Sequence, residues 1–420
     1  MSQTTPPDSK IDSPVRSRRE LIAWRNAVFA IFFLSGLSIA SWVARIPAVR
    51  DDTGLTLGGI GLVIFGMSAG SVLGLIAAPW VLARIGARRG MVAALFLVAI
   101  GVVVVGLGST VLAAPAVIFL GMAMFGFGNG ACDVMMNVEG ALAERENGRT
   151  LMPLMHAFFS FGTVAGAGIG ALASGLAVPV AWHLLVIAAL IIGAALWTIR
   201  FIPVRESAGD SRAGQPREPW RERMRHSLAA WSDIRLIFIG VIMLGMSFAE
   251  GSANDWLALA TVDGHGYDNT TGALVFGLFV TAMTVSRVIG GPVLDRFGRV
   301  PVLRVCAALG VLGLLAFIYG TETWMLLTGV VLWGFGCALG FPVGMSAAAD
   351  VDDDEAAAAR VSAVAIIGYC AFLAGPPLLG FLGQQFGILN ALLVLLVLMV
   401  LAGLAAPAAR ERTKVGAPAA

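Results

Sequence analysis

Twelve apolar runs of close to 20 residues each recur along this 420-residue chain. A helix needs about 20 apolar residues to cross a hydrocarbon core, so each run has the length of one crossing. The expected spans are 26–46, 58–80, 90–108, 113–138, 152–175, 181–201, 235–259, 272–293, 301–319, 324–347, 360–382 and 387–407. Composition agrees, with 58% hydrophobic against 13% charged residues, where a soluble chain of this size needs far more polar surface. The expected fold class is an all-α membrane protein with 12 transmembrane helices.

Charge placement orients the spans. Of the 28 Lys and Arg, 25 fall on the side of the N-terminus; Arg45 and Arg50 lie opposite, and Arg287 lies within a span. By the positive-inside rule both termini are cytoplasmic. The basic residues lie between spans and form no single patch, which argues against nucleic acid. The expected divisions are an N-terminal tail (1–24), a first six-helix bundle (25–201), a linker (202–234), a second bundle (235–407) and a C-terminal tail (408–420). The tail shows no cleavage site behind a short apolar core, so the first span is expected to be retained. Within the linker, Trp220, Met224, Leu228 and Trp231 repeat at helical spacing and fit an interfacial helix or a basic linker equally. Cys132, Cys306, Cys337 and Cys370 sit in apolar runs without a CxxC pair, and no metal, disulfide or cofactor is implied.

The polar residues inside the spans point to function. Between Gly121 and Arg145, Asn129, Asp133 and Asn137 follow at intervals of four and stack along one side of a helix. A carboxylate and two amides do not face lipid; they border a water-filled cavity or another helix. Gly126, Gly128 and Gly130 let a neighbouring backbone approach. In span seven Glu250 lies near mid-membrane with Asn254 one turn on, so Asp133 and Glu250 are the expected proton-coupling groups. Asn129, Asn137, Asn254, Trp42, His156 and Trp256 are the expected solute contacts, and Phe158 is a further ring able to stack. Glu139 reads as a charge at the membrane edge, Arg287 as a snorkelling structural residue, and Asp255 as a partner for Arg45.

The two halves resemble each other. GLSIAS (36–41) answers GMSFAE (245–250), Gly126-Phe127-Gly128 answers Gly334-Phe335-Gly336, and Ala83-Arg84-Ile85-Gly86 answers Asp295-Arg296-Phe297-Gly298, all 208 to 212 residues apart. With Gly291, Asp295, Arg296, Gly298 and Arg299 matching its G-x-x-x-D-R-x-G-R loop, the chain resembles the major facilitator superfamily over nearly its whole length. The resemblance implies two pseudo-symmetric six-helix bundles. It also implies a cytoplasmic gate, in which Arg84, Arg88 and Arg89 face the acidic run Asp350, Asp352, Asp353, Asp354 and Glu355, and Asp295 faces Arg145 or Arg149. The first-half loop departs from the pattern, with Pro79 for Gly and Ala83 for Asp. Asp133 and Asn137, with His156 and Gly162, are similar to the fucose permease-like branch, whose span-four carboxylate couples protons. The second carboxylate of that branch, expected in span one, is absent here.

These features together lead to a secondary transporter of a bacterial inner membrane. It would be proton-coupled and monomeric, and would move a small polar, sugar-like solute by alternating access. Proton-driven efflux of drugs or amphipathic metabolites is the alternative. An intramembrane enzyme using His156 with Ser160, or Asp133 with His156, is the remote one, since no nucleophile sits beside a base in a familiar motif.

Overall fold

The computed structural model describes residues 17–147, 151–204, 233–351 and 354–411, with the side chains at 153, 354–359, 362, 365 and 369 outside the description. The linker tract from Trp220 to Trp231, Arg149, Asp352 and Asp353 lie outside the described residues. Among those described the chain is helical throughout, without a strand. Its helices are α1 (Arg18–Val43), α2 (Ile46–Thr53), α3 (Leu57–Gly106), α4 (Pro115–Asn147), α5 (Met152–Gly175) and α6 (Val180–Thr198) in the first half. The second half holds α7 (Ile234–His265), α8 (Asn269–Phe297), α9 (Arg299–Tyr319), α10 (Thr323–Cys337), α11 (Gly340–Ala348), α12 (Asp354–Phe386), α13 (Ile388–Ala391) and α14 (Leu393–Ala405). Among the described residues eleven helical segments are long and apolar enough to span, and one of them, Leu57–Val111, has 55 residues, enough for two crossings.

That double crossing turns at Gly86, whose φ of 73° and ψ of 166° break the helical path. Gly298, between α8 and α9, has φ 77° and ψ 166°. The two positions match in the internal repeat, and the left-handed φ explains why glycine stands at both. The pseudo-symmetry seen in the sequence is therefore written into the backbone at the same turn of each half.

Packing follows small residues. A Cβ on Gly126 would lie 1.9 Å from the Met67 carbonyl oxygen, and one on Gly130 would lie 2.2 Å from that of Ser71. The glycine face of α4 is thus locked against α3, as the small-residue pattern predicts. Within the first half α1 packs on α5 and α3 on α4 and α6; within the second α7 packs on α12 and α14, and α9 on α10. Across the halves α3 meets α12 and α5 meets α8, a reciprocal pair.

The helices differ from the expected spans in three respects. The segment after span one, expected to be a loop, folds into α2 behind Pro47, a residue suited to a helix start. Helix α4 runs to Asn147, beyond the expected edge at 138, so Glu139 is neither a cap nor a loop charge; it lies inside the helix with its side chain buried. Span ten divides into α10 and α11 at Ala338 and Leu339. Pro342 favours the break: it has no N–H to donate to the carbonyl of Ala338 four residues earlier.

Candidate functional site

Two walls of polar side chains lie inside this apolar frame. The first is on α4. Ser35 of α1 donates its hydroxyl to Asn129 Oδ1 at 2.7 Å, both groups buried. One turn on, Asn137 Nδ2 donates to the Asp133 carbonyl at 2.8 Å and to Asp133 Oδ1 at 3.3 Å. The row at 129, 133 and 137 therefore holds two separate bonded pairs, Ser35–Asn129 and Asp133–Asn137, the latter only half-buried. The apolar periodicity of α1 gave no reason to choose Ser35, which sequence reasoning missed.

The second wall differs from expectation. Arg287 Nη2 donates to Glu250 Oε1 at 2.6 Å, and its Nε donates to the Ala338 carbonyl at 3.3 Å. Arg287 is thus not a snorkelling residue reaching for an interface. It is the partner of Glu250, drawn inward because a guanidinium in a membrane interior must be paired and because Pro342 leaves a carbonyl free to receive it. Glu250 is correspondingly held as an ion-paired carboxylate in this conformation. Two opposite charges near the middle of separate spans were the signal that sequence reading left unused. Asn254 is half-buried one turn from Glu250.

Several expected contacts fall elsewhere. Trp42 and Trp256 are 1% and 0% exposed, walled in by neighbouring helices and closed to a solute in this conformation. Phe158 stacks on Phe29 at 4.7 Å. His156 is exposed and meets Phe32 edge-on at 5.2 Å. Ser160 donates its hydroxyl to the His156 backbone carbonyl at 3.2 Å, a helix-internal bond that gives the serine no base. Arg45 donates to the Val178 carbonyl at 2.6 Å and to Ser174 Oγ at 3.5 Å, so the expected pair with Asp255 does not form; Arg45 sits at the helix turn beside α5 and α6, where carbonyls are nearer than any carboxylate on α7.

The gate at the end bearing the chain termini is also arranged differently. Asp350 accepts from Arg299 Nη1 at 3.0 Å, and Ser346 Oγ accepts from Arg299 Nη2 at 3.0 Å, so this acid is held inside its own half and not by Arg84, Arg88 or Arg89. Arg84 lies over the Trp80 ring at 5.1 Å. Arg88 lines a shallow cavity with Glu20 and Arg200, and Arg89 is exposed. Gly291, Asp295 and Arg296 are exposed, the last beside Phe297 at 5.4 Å, and Arg145 ends α4.

The opposite end is where the halves are joined. Arg50 of α2 pairs with Asp263 of α7, Asp51 accepts from Asn269 Nδ2 at 2.9 Å, and Thr56 donates to Gln384 Oε1 at 3.5 Å. Asp52 turns back to its own half, accepting from Ser109 at 2.7 Å and Thr110 at 3.3 Å. Sequence reasoning missed this cluster, although three consecutive charges between two apolar runs mark it.

The family model of the Major Facilitator Superfamily matches residues 27–291 and 256–419. An uncharacterized transporter of Sinorhizobium fredii, y4wD, is 30% identical over 376 residues, covering 87% of this chain and 93% of that protein. A variant of the nucleoside transporter NupG superposes with a TM-score of 0.76 at 15% identity, covering 92% of this chain and 99% of that one. FucP, in the outward conformation, superposes with a TM-score of 0.61 at 15% identity, covering 94% and 100%. These structures share the fold, and the fucose permease is one neighbour among several transporters.

Proposed function

The chain belongs to the Major Facilitator Superfamily and is a multi-pass membrane transporter, not an enzyme; from that premise we propose that it moves a small polar, sugar-like solute by proton-coupled alternating access. The membrane is a bacterial inner membrane, the termini are cytoplasmic, and the working unit is a monomer. The observation that carries this reading is a set of polar side chains inside the apolar bundle of each half. Asp133 with its amides stands on one half and the Glu250–Arg287 pair on the other. Such groups are costly in a bilayer unless they border a wet path.

Asp133 is the coupling group this reading favours, because only an amide holds it, whereas Glu250 is engaged by a full positive charge. Asn137, Asn254 and His156 are the solute contacts, with Asn129 reached only if its buried bond to Ser35 opens. The cluster at Arg50, Asp51 and Thr56 is the periplasmic gate, closed here, and Arg84, Arg88, Arg89 and Asp295 belong to a cytoplasmic gate that closes when the periplasmic one opens.

The test is flux of labelled sugars and sugar acids in proteoliposomes under an imposed pH gradient. Accumulation driven by the gradient, lost in Asp133→Asn while exchange persists, is the expected outcome. Gradient-driven export from the lumen would give the efflux reading instead, and wild-type accumulation by Asp133→Asn would remove Asp133 from coupling.

A further inference from the structure

The second wall holds its guanidinium more elaborately than helix packing requires. Pro342 frees the Ala338 carbonyl, and Arg287 Nε takes it at 3.3 Å. Ser286 beside it donates its hydroxyl to the Phe335 carbonyl at 3.3 Å, on the last turn before the interruption. Interrupted helices at membrane depth are tolerated where they border protein or a wet cavity, and they recur at transporter binding sites. Two edges of the guanidinium are thus occupied, by a carbonyl and by Glu250. Nη1 has no hydrogen-bond partner among the described residues. The Arg287 side chain is 32% exposed against 12% for Glu250, so the arginine is the more accessible partner of the pair.

A planar fork of donors that already seats one carboxylate is shaped for carboxylates. We infer that Arg287 receives the carboxylate of a hydroxylated organic acid, with Glu250 as the resident carboxylate that the solute displaces. The inference rests on the transport reading above and narrows its solute from polar to anionic. One guanidinium carries one positive charge, and two carboxylates crowded onto it in a low dielectric repel each other. The incoming acid therefore takes the Nη edge as Glu250 leaves it, and Glu250 returns when the acid departs. The Ala338 carbonyl keeps the guanidinium in place through both states. Asn137 and Asn254, amides that both donate and accept, meet the hydroxyls of the same solute.

Glu250→Gln empties the seat. Acetate at about 100 mM should raise the melting temperature of purified Glu250→Gln in detergent by about 2–4 °C, saturably, and leave Glu250→Gln/Arg287→Gln unmoved. An equal response in the two variants, or none in either, overturns the inference. Should Glu250→Gln not be recoverable, calorimetric titration of D-glucuronate into wild type and the double variant decides. Heat confined to wild type supports the seat; binding by both, or by neither, overturns it. Gradient-driven flux is read separately in proteoliposomes. An acetate response without flux would leave the anion seat standing and sink the transport reading, and flux without an acetate response would do the reverse.

Discussion

The two ends of the molecule bring the halves together differently. At the end away from the termini, α2 reaches over and joins the second half through Arg50–Asp263 and Asp51–Asn269, with Thr56–Gln384 beside them. Backbones also come close there, with Gly61 seated so that a Cβ would lie 2.8 Å from the Pro376 carbonyl oxygen. At the terminal end the ion pairs Arg299–Asp350 and Arg360–Asp233 stay inside the second half, and Asp295 stands exposed. Among the described residues, one end is latched across the halves and the ion pairs of the other lie within a half. The contrast teaches that resemblance to a gate motif does not fix a charge's partner: Asp350, expected to face the first-half arginines, accepts from Arg299 in this structure.

The comparison can be broken first at its pivot, the ion pair between the ends. Glu250→Ala leaves Arg287 charged and unpartnered in the bundle, which should destabilise the protein by about 3–5 kcal/mol, read as a large fall in melting temperature. Glu250→Gln/Arg287→Gln should recover most of that loss. A single variant as stable as wild type would mean the pair holds nothing together.

Neutralising Arg84, Arg88 and Arg89 should cost this conformation under about 1 kcal/mol, because exposed charges contribute little. The same change should weaken the opposite conformation, in which these residues are expected to meet acids. Alkylation of single cysteines placed along α4 reports the shift; identical labelling in the triple variant and wild type would remove these arginines from gating.

The smallest effects belong to the helix caps at each end. Asp268 caps α8 by accepting from the Thr271 N–H at 2.7 Å, and this bond holds its carboxyl below the usual carboxylate range. At the terminal end burial opposes the charge of Asp233, yet hydrogen bonds from Arg360 and from the Arg235 N–H outweigh it and also lower the carboxyl. A carboxyl lowered on folding stabilises above its unfolded value of 3.8 and loses that contribution as pH falls through the folded value. Asp268→Asn should therefore differ from wild type in melting temperature near neutrality, by an amount matching about 1 kcal/mol or less at the cap, and converge with it in acid; Asp233→Asn shares the sign but also unpairs the buried Arg360, so its gap is larger. A gap that widens on acidification contradicts the sign.

The fold was legible in the sequence to a large degree. Run length set the crossings, arginine placement the expected sidedness, and the Gly86 and Gly298 turns the repeat. The site was legible by residue type more than by partner. Periodicity singled out Asn129, Asp133 and Asn137 on one strip, but nothing local told that Ser35 would meet Asn129. Glu250 and Arg287 were each noticed alone. Their meeting depends on the packing of α7 against α8 and on Pro342 loosening span ten, which are tertiary facts. Trp42 and Trp256 illustrate the opposite error: a ring large enough to stack on a solute is also large enough to fill a helix interface, and here both do the latter.

Paired spin-label distances test the account most directly, on a background with the four native cysteines replaced, with one pair bridging residues 55 and 389 and another bridging 85 and 297. Arg50→Asp should lengthen the first distance and shorten the second, as the latched end opens and the other closes. Two distances that both stay fixed, or that lengthen together, would contradict alternating access around the polar walls.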